Sequence, residues 1–131
     1  MIVVDTHIKI WDALHPERLS QAAKDAISVA DDEDGIIICD ISLWEIAMPI
    51  KKGRVKVDAS YQVFIDKVLE SRNYFVQEIN KEIAECSVNF SDEVNKDPAD
   101  RIISATSVIL KAPLVSADEN LNKTDEISTI W

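Results

Sequence analysis

Two hydrophobic periods alternate along this chain. Ile2-Val3-Val4 and Ile36-Ile37-Ile38-Cys39 are short, wholly apolar, mostly β-branched runs with no polar face, as expected of strands buried on both sides of a sheet. Between them, His7 to Leu14 predicts a short helix with Ile8, Trp11 and Leu14 inward and Lys9 and Asp12 outward, ended by Pro16. Ser20 can cap a helix to about Ala30, and Asp31-Asp32-Glu33-Asp34-Gly35 reads as a solvated turn. Leu43, Ile46, Ala47 and Ile50 recur at helical spacing, so a helix begins near Ser42. Pro49 kinks it or ends it early, and Lys51-Lys52-Gly53 marks its exit. Asp58 is placed to cap a helix striped by Tyr61, Phe64, Ile65, Val68 and Leu69. Tyr74 to Ile79 suits a strand, and Asn80 caps a helix to about Val88.

In Asp97-Pro98-Ala99-Asp100-Arg101, Asp97 can cap a helix, Pro98 fits its first position and Asp100 falls in its first turn. The stripe Ile102, Ile103, Ala105, Thr106, Ile109, Leu110 carries that helix to Lys111. Pro113-Leu114-Val115 is a strand ending at Ser116-Ala117-Asp118, and Ile127 to Ile130 is a last one. Strands alternating with helices imply an α/β domain over residues 1–131, with a mostly parallel sheet covered on both faces.

Composition narrows the function classes. No apolar run reaches membrane-spanning length and no basic-then-apolar leader opens the chain. Cys39 and Cys86 lack metal-type spacing and read as reduced packing residues, which points to the cytoplasm. The net charge of −10 argues against a protein that grips nucleic acid by neutralising phosphates across its surface. A nucleic-acid role here needs local basic clusters, a divalent metal or a basic region on a partner.

Four acids share one topological address. Asp5 ends the first strand, Glu45 follows the second, Asp100 opens a helix, and Asp118 follows a later strand. Groups at the carboxyl ends of parallel strands gather on one edge, where ligands bind. Glu45 sits about 150° from the centre of its helix's apolar stripe, so it does not face the same core. Each acid has a local explanation: a turn former at Asp5, a capping box between Ser42 and Glu45, a cap at Asp118. Jointly those explanations fail, because converging carboxylates repel and take up protons unless a cation balances them. An oxygen-only donor set favours Mg²⁺ or Mn²⁺, and metal-assisted phosphodiester hydrolysis suits that arrangement.

Val4-Asp5-Thr6-His7, Ser42-Leu43-Trp44-Glu45-Ile46-Ala47, Asp97-Pro98-Ala99-Asp100-Arg101-Ile102-Ile103 and Val115-Ser116-Ala117-Asp118 resemble, in order and spacing, the four acidic motifs of the PIN-domain family. The nearest likeness is to VapC-type toxins of bacterial toxin–antitoxin pairs, and it runs from Met1 to Trp131. The resemblance implies a PIN-like three-layer α/β/α fold and a Mg²⁺- or Mn²⁺-dependent endoribonuclease, usually a homodimer, held inactive by a cognate antitoxin. It also implies that Asp5, Glu45, Asp100 and Asp118 are the metal-site acids. Asp97 is a cap or a further ligand, and Thr6 and Ser116 are hydroxyls orienting the acids or water. Arg101 is either a surface residue pairing with an acid or a substrate contact.

Three positions depart from the family's pattern. Ala99 replaces a larger apolar residue, Pro49 interrupts a usually continuous helix, and Asp40 adds a carboxylate that reads as solvated. Lys51, Lys52, Arg54 and Lys56 form the main basic cluster, either a solvated loop or a contact to RNA or an acidic partner. Trp11, Trp44 and Trp131 read as core or interface anchors. His7 and His15 show no partner pattern and are not expected to act as ligands or bases. Two alternatives remain. A flavodoxin-like phospho-acceptor domain would need adjacent acids after the first strand and a lysine after a late one, which Thr6-His7 and Ser116-Ala117-Asp118 do not supply. A catalytically silent PIN fold acting as a binding module is the other.

Overall fold

The first strand, β1 (Ile2–Val4), is central, because its three side chains are all buried and demand cover on both faces. In a computed structural model, which describes residues 1–131, it pairs in parallel with β2 (Ile36–Cys39) on one side and β4 (Leu114–Val115) on the other. Outside these lie β3 (Tyr74–Gln77) and β5 (Thr129–Ile130), so the order is β3-β2-β1-β4-β5, parallel at every pairing. The chain builds outward from β1 through β2 and β3, then crosses back to place β4 on the opposite side of β1. That reversal makes the gap between the carboxyl ends of β1 and β4 the topological switch point.

Side-chain alternation divides the core. Ile2 and Val4 point to one face, where they pack with Ile8 of α1 (Thr6–Leu14) and Ala23 and Ile27 of α2 (Gln21–Asp32). Val3 and Ile37 point to the other, against Ile103 of α6 (Pro98–Leu110) and Leu121 of α7 (Glu119–Lys123). A third cluster joins Ile38 to Ile46 of α3 (Asp40–Lys51) and Ile65 of α4 (Tyr61–Glu70). The remaining helix is α5 (Lys81–Asn89). Sheet and two helical layers agree with the expected α/β/α class.

Several local expectations are corrected. Helix α3 begins at Asp40 rather than near Ser42 and carries Pro49 inside it through to Lys51. A proline so near the helix end removes only one late amide donor, so the helix need not stop there. Helix α4 is capped by the Ser60 hydroxyl, which accepts from Val63 N, not by Asp58. The third and last strands are shorter than predicted, and the short helix α7 follows Asp118 where the sequence suggested only its cap.

The largest correction concerns α1. Lys9 and Asp12, expected outside, are buried: their side chains are 1% and 6% exposed. Lys9 Nζ donates to Tyr74 Oη at 2.7 Å, and Tyr74 Oη donates to Asp12 Oδ2 at 3.0 Å. Arg72 meets Asp12 with two bonds of 2.9 Å and reaches Asp31 at 3.2 Å, while Asn73 N also donates to Asp31. The partners lie at the entry to β3, some sixty residues away, so the periodicity of α1 alone has no signal for them. Asp31, read as part of a solvated turn, is thereby a half-buried member of the same polar network.

Candidate active site

Three of the predicted acids first serve as helix caps. Asp5 Oδ1 accepts from Thr6 N at the start of α1, Asp97 Oδ1 from Asp100 N at α6, and Asp118 Oδ1 from Asn120 N and Leu121 N at α7. Each capping carboxylate gains from the amide-rich end of its helix. The capping box proposed for Ser42 and Glu45 does not form, since the N-cap of α3 is Cys39 with no side-chain bond. Ser42 instead lies buried within the helix.

The acids' remaining oxygens are tied together across the sheet edge. Ser116, after β4, donates from Oγ to Asp5 Oδ2 at 2.7 Å and accepts from Asp118 N at 3.1 Å. Thr6 Oγ1 donates to Glu45 Oε1 at 2.6 Å and lies 2.7 Å from Ser42 Oγ, which leaves Ser42 to donate to Thr6. Thus the two hydroxyls predicted to orient acids do contact them: Thr6 links Asp5 to Glu45, and Ser116 links Asp5 to the Asp118 backbone. Asn95 Nδ2 donates to Asp100 Oδ2 at 3.1 Å and Asp118 Oδ2 at 2.8 Å, which brings those two oxygens within about 6 Å of each other. Asp5, Glu45, Asp97, Asp100 and Asp118 therefore share the edge above the β1–β4 switch point.

Their charges are not balanced by cations. Burial, then the charges of Asp5 and Asp97, push the Asp100 carboxyl up to about 7, against the opposing pull of the Asn95 amide. Burial also raises Glu45, with Asp5 and Asp97 adding to it and the Thr6 hydroxyl holding it down. No three Asp, Glu, His or Cys side chains stand close enough together to enclose a metal ion as they are. In donor type and charge the set nevertheless fits a hard divalent cation: oxygen ligands only, crowded and reluctant to ionise together.

Four residues here escaped the sequence. Asn95 sits in a polar loop with no periodicity to mark it. Arg101 is neither a surface ion-pair partner nor free for substrate: its guanidinium donates to the carbonyls of Asn95, Ser87, Phe90, Ser91 and Val94. It pins the loop that presents Asn95. His7, which had no sequence partner, accepts from Ala117 N through Nε2 at 3.0 Å. That bond leaves the ring proton on Nδ1, which is 3.6 Å from Asp5 Oδ2. Asp40 is not simply solvated: Oδ2 accepts from Ile79 N at 3.2 Å, and Oδ1 is buried without a donor. Nearby, Cys39 is buried and free, and desolvation pushes its thiol up to about 12, so it packs rather than reacts.

Known proteins of similar sequence and fold bear on which family the chain belongs to. The chain is 27% identical over 132 residues to Ribonuclease VapC22 of Mycobacterium tuberculosis, spanning 99% of this chain and 98% of that one. In fold it is similar to VapBC2 of Rickettsia felis, solved bound to a DNA fragment from the promoter, with TM-score 0.75 and 15% identity over 98% of this chain and 97% of that one. It is similar also to a toxin–antitoxin complex from Klebsiella pneumoniae (TM-score 0.67, 20% identity, 98% and 97% covered). The PIN domain model matches residues 2–127. With four acids in the expected order at the switch point of a parallel sheet, and a family match across nearly its whole length, this chain belongs to the PIN-domain family.

Proposed function

We propose that this protein is a divalent-metal-dependent endoribonuclease that hydrolyses RNA phosphodiester bonds, as the toxin of a toxin–antitoxin pair. The observation that carries this reading is the convergence of Asp5, Glu45, Asp100 and Asp118 on one edge, with Asp100 pushed up to about 7 by burial and by the neighbouring charges of Asp5 and Asp97. The ribonuclease name of the relative from Mycobacterium tuberculosis supports the activity, and the toxin–antitoxin complexes of similar fold support an antitoxin partner. Apolar side chains left at the surface, Trp44, Phe75 and Val88 among them, offer area for that partner and for a second copy of the chain.

The four acids would hold Mg²⁺ or Mn²⁺, with Asp97 adding negative potential from the α6 cap. A bound ion supplies Lewis acidity to a phosphate oxygen and makes a water a competent nucleophile. The chain's own residues do the positioning. Ser116 and Thr6 N fix both oxygens of Asp5, the Thr6 hydroxyl orients Glu45, and Asn95 holds Asp100 and Asp118 in register.

RNA cleavage in Mg²⁺ or Mn²⁺, with EDTA and Asp5→Ala as controls, tests this. Asp5→Asn is added because it keeps the α1 cap. Each substitution is expected to lower cleavage by at least about 100-fold, the upper end of what losing an outer partner costs a metal site. Cleavage that persists in EDTA and in Asp5→Ala would remove the metal mechanism. A protein inert on every RNA would instead favour a silent binding module.

A further inference from the structure

We propose that the cleft between α1 and the loop after α3 holds backbone phosphates of the single-stranded RNA as it leaves the acidic centre. This inference rests on the ribonuclease reading and extends it to a substrate path. The cleft has a volume of about 610 Å³ and is lined by His7, Trp11, His15, Arg18, Arg54 and Lys56 together with three apolar side chains, and no acidic residue lines it.

Its charge is out of keeping with the chain. Asp and Glu outnumber Lys and Arg by 24 to 14, yet three of those cations face this one depression. Loop residues Arg54 and Lys56 belong to the basic cluster seen in the sequence, but Arg18 comes from the turn after α1, more than thirty positions earlier. Lys51 and Lys52, the other half of that cluster, do not line the cleft. The fold therefore splits a run of basic residues and recruits a distant arginine to one half of it. Phosphate binding requires this kind of local concentration when the protein as a whole repels polyanions.

The cleft is also braced and continuous with the acids. The Arg18 guanidinium lies 4.4 Å from the Trp11 ring centroid, and Trp11 packs in turn on His7 and on Trp131 at 5.0 and 6.0 Å. Stacking orders the Arg18 side chain, so less entropy is lost when it meets a phosphate. His7 lines this cleft and at the same time stands beside Asp5 and Ala117. A strand leaving the carboxylates along α1 meets the cations next. His15 is engaged by Glu17 at 3.5 Å, so the phosphate contacts fall to Arg18, Arg54 and Lys56.

The test compares the parent with Arg54→Gln/Lys56→Gln and with Lys24→Gln/Lys81→Gln, a pair of equal charge change on α2 and α5. The probe is a labelled single-stranded RNA of about ten nucleotides. KM for its cleavage is measured in Mg²⁺, and its Kd by anisotropy in EDTA across a salt series. Loss of two phosphate contacts should raise KM and Kd about tenfold near physiological salt and flatten the slope of log affinity against log salt by about 1.4. The distal pair should move both by less than about twofold, and equal melting temperatures confirm intact folds. If the parent cleaves and the cleft pair keeps its KM and slope, or the distal pair shifts them equally, the assignment is overturned and the cleft is left to a protein partner. If the parent cleaves no RNA, the ribonuclease reading itself falls, and this path with it.

Discussion

Asp100 offers a test of the acidic centre that needs no substrate. Its carboxyl stands at about 7 in the fold against an ordinary 3.8, so the folded chain keeps a proton that the unfolded chain releases. Below about pH 4 both states are protonated and the group is silent. As pH rises from about 4 to 7 the unfolded state loses its proton first, so this group costs the fold stability progressively, and above about 7 the full cost is present. At about 1.4 kcal/mol per tenfold the ceiling is about 4 kcal/mol. Partial solvent screening of a half-buried carboxylate reduces this to about 1–2 kcal/mol. Asp100→Asn removes the charge but leaves the backbone amide that Asp97 caps. In EDTA at pH 8 the variant should therefore be more stable than the parent by that amount, roughly 3–10 °C in Tm for a chain of this size. At pH 4 the two should coincide. Added Mg²⁺ should close the gap by stabilising the parent alone. Chemical denaturation of both proteins from pH 4 to 8 supplies the difference curve, in which titrating groups remote from Asp100 cancel and only Asp100 with the acids coupled to it remains. A variant less stable than the parent at pH 8 without metal, or two parallel pH curves, would refute the idea that Asp100 is an uncompensated charge.

Two further outcomes follow from the buried contacts. Burial pulls the Lys9 ammonium down to about 8 although Asp12 opposes it. Between about pH 8 and 10.5 the unfolded chain binds the extra proton, so Lys9 makes stability rise with pH there. Lys9→Met should abolish that rise and be neutral or stabilising at pH 7, because Asp12 keeps both Arg72 bonds and the Tyr74 hydroxyl; a loss above about 2 kcal/mol in urea melts would contradict this. Arg101→Ala should cost about 2–3 kcal/mol by the same measurement, and Arg101→Lys should recover less than half, since one ammonium cannot serve carbonyls that a planar fork spans. A change within about 0.5 kcal/mol for Arg101→Ala would mean that the loop is held by other contacts.

What the sequence determined by itself was whatever depends on near neighbours. Short apolar runs without a polar face predict buried strands, and Asp97-Pro98 suits a helix opening, so the α/β class and the order of most of its elements were legible. The shared edge of three of the acids was legible as well, because the local element sets their places: Asp5 and Asp118 follow strand ends and Asp100 lies in a first helical turn, whereas Glu45 sits in the second turn of α3. Tertiary structure alone decided where polar side chains found partners. Lys9 and Asp12 sit on a helix whose own period marks them as exposed, yet Tyr74 of β3 and Arg72 of the turn before it arrive to satisfy them. Asn95 bridges two acids only because Arg101 gathers its loop, and Arg18 joins Arg54 and Lys56 only across the gap between α1 and α3. The reason is the range of the forces involved. Secondary structure and burial follow from a residue and its neighbours a few positions away, whereas a buried hydrogen bond or ion pair is worth forming only once distant segments are already in contact, and that is settled by packing of the whole chain.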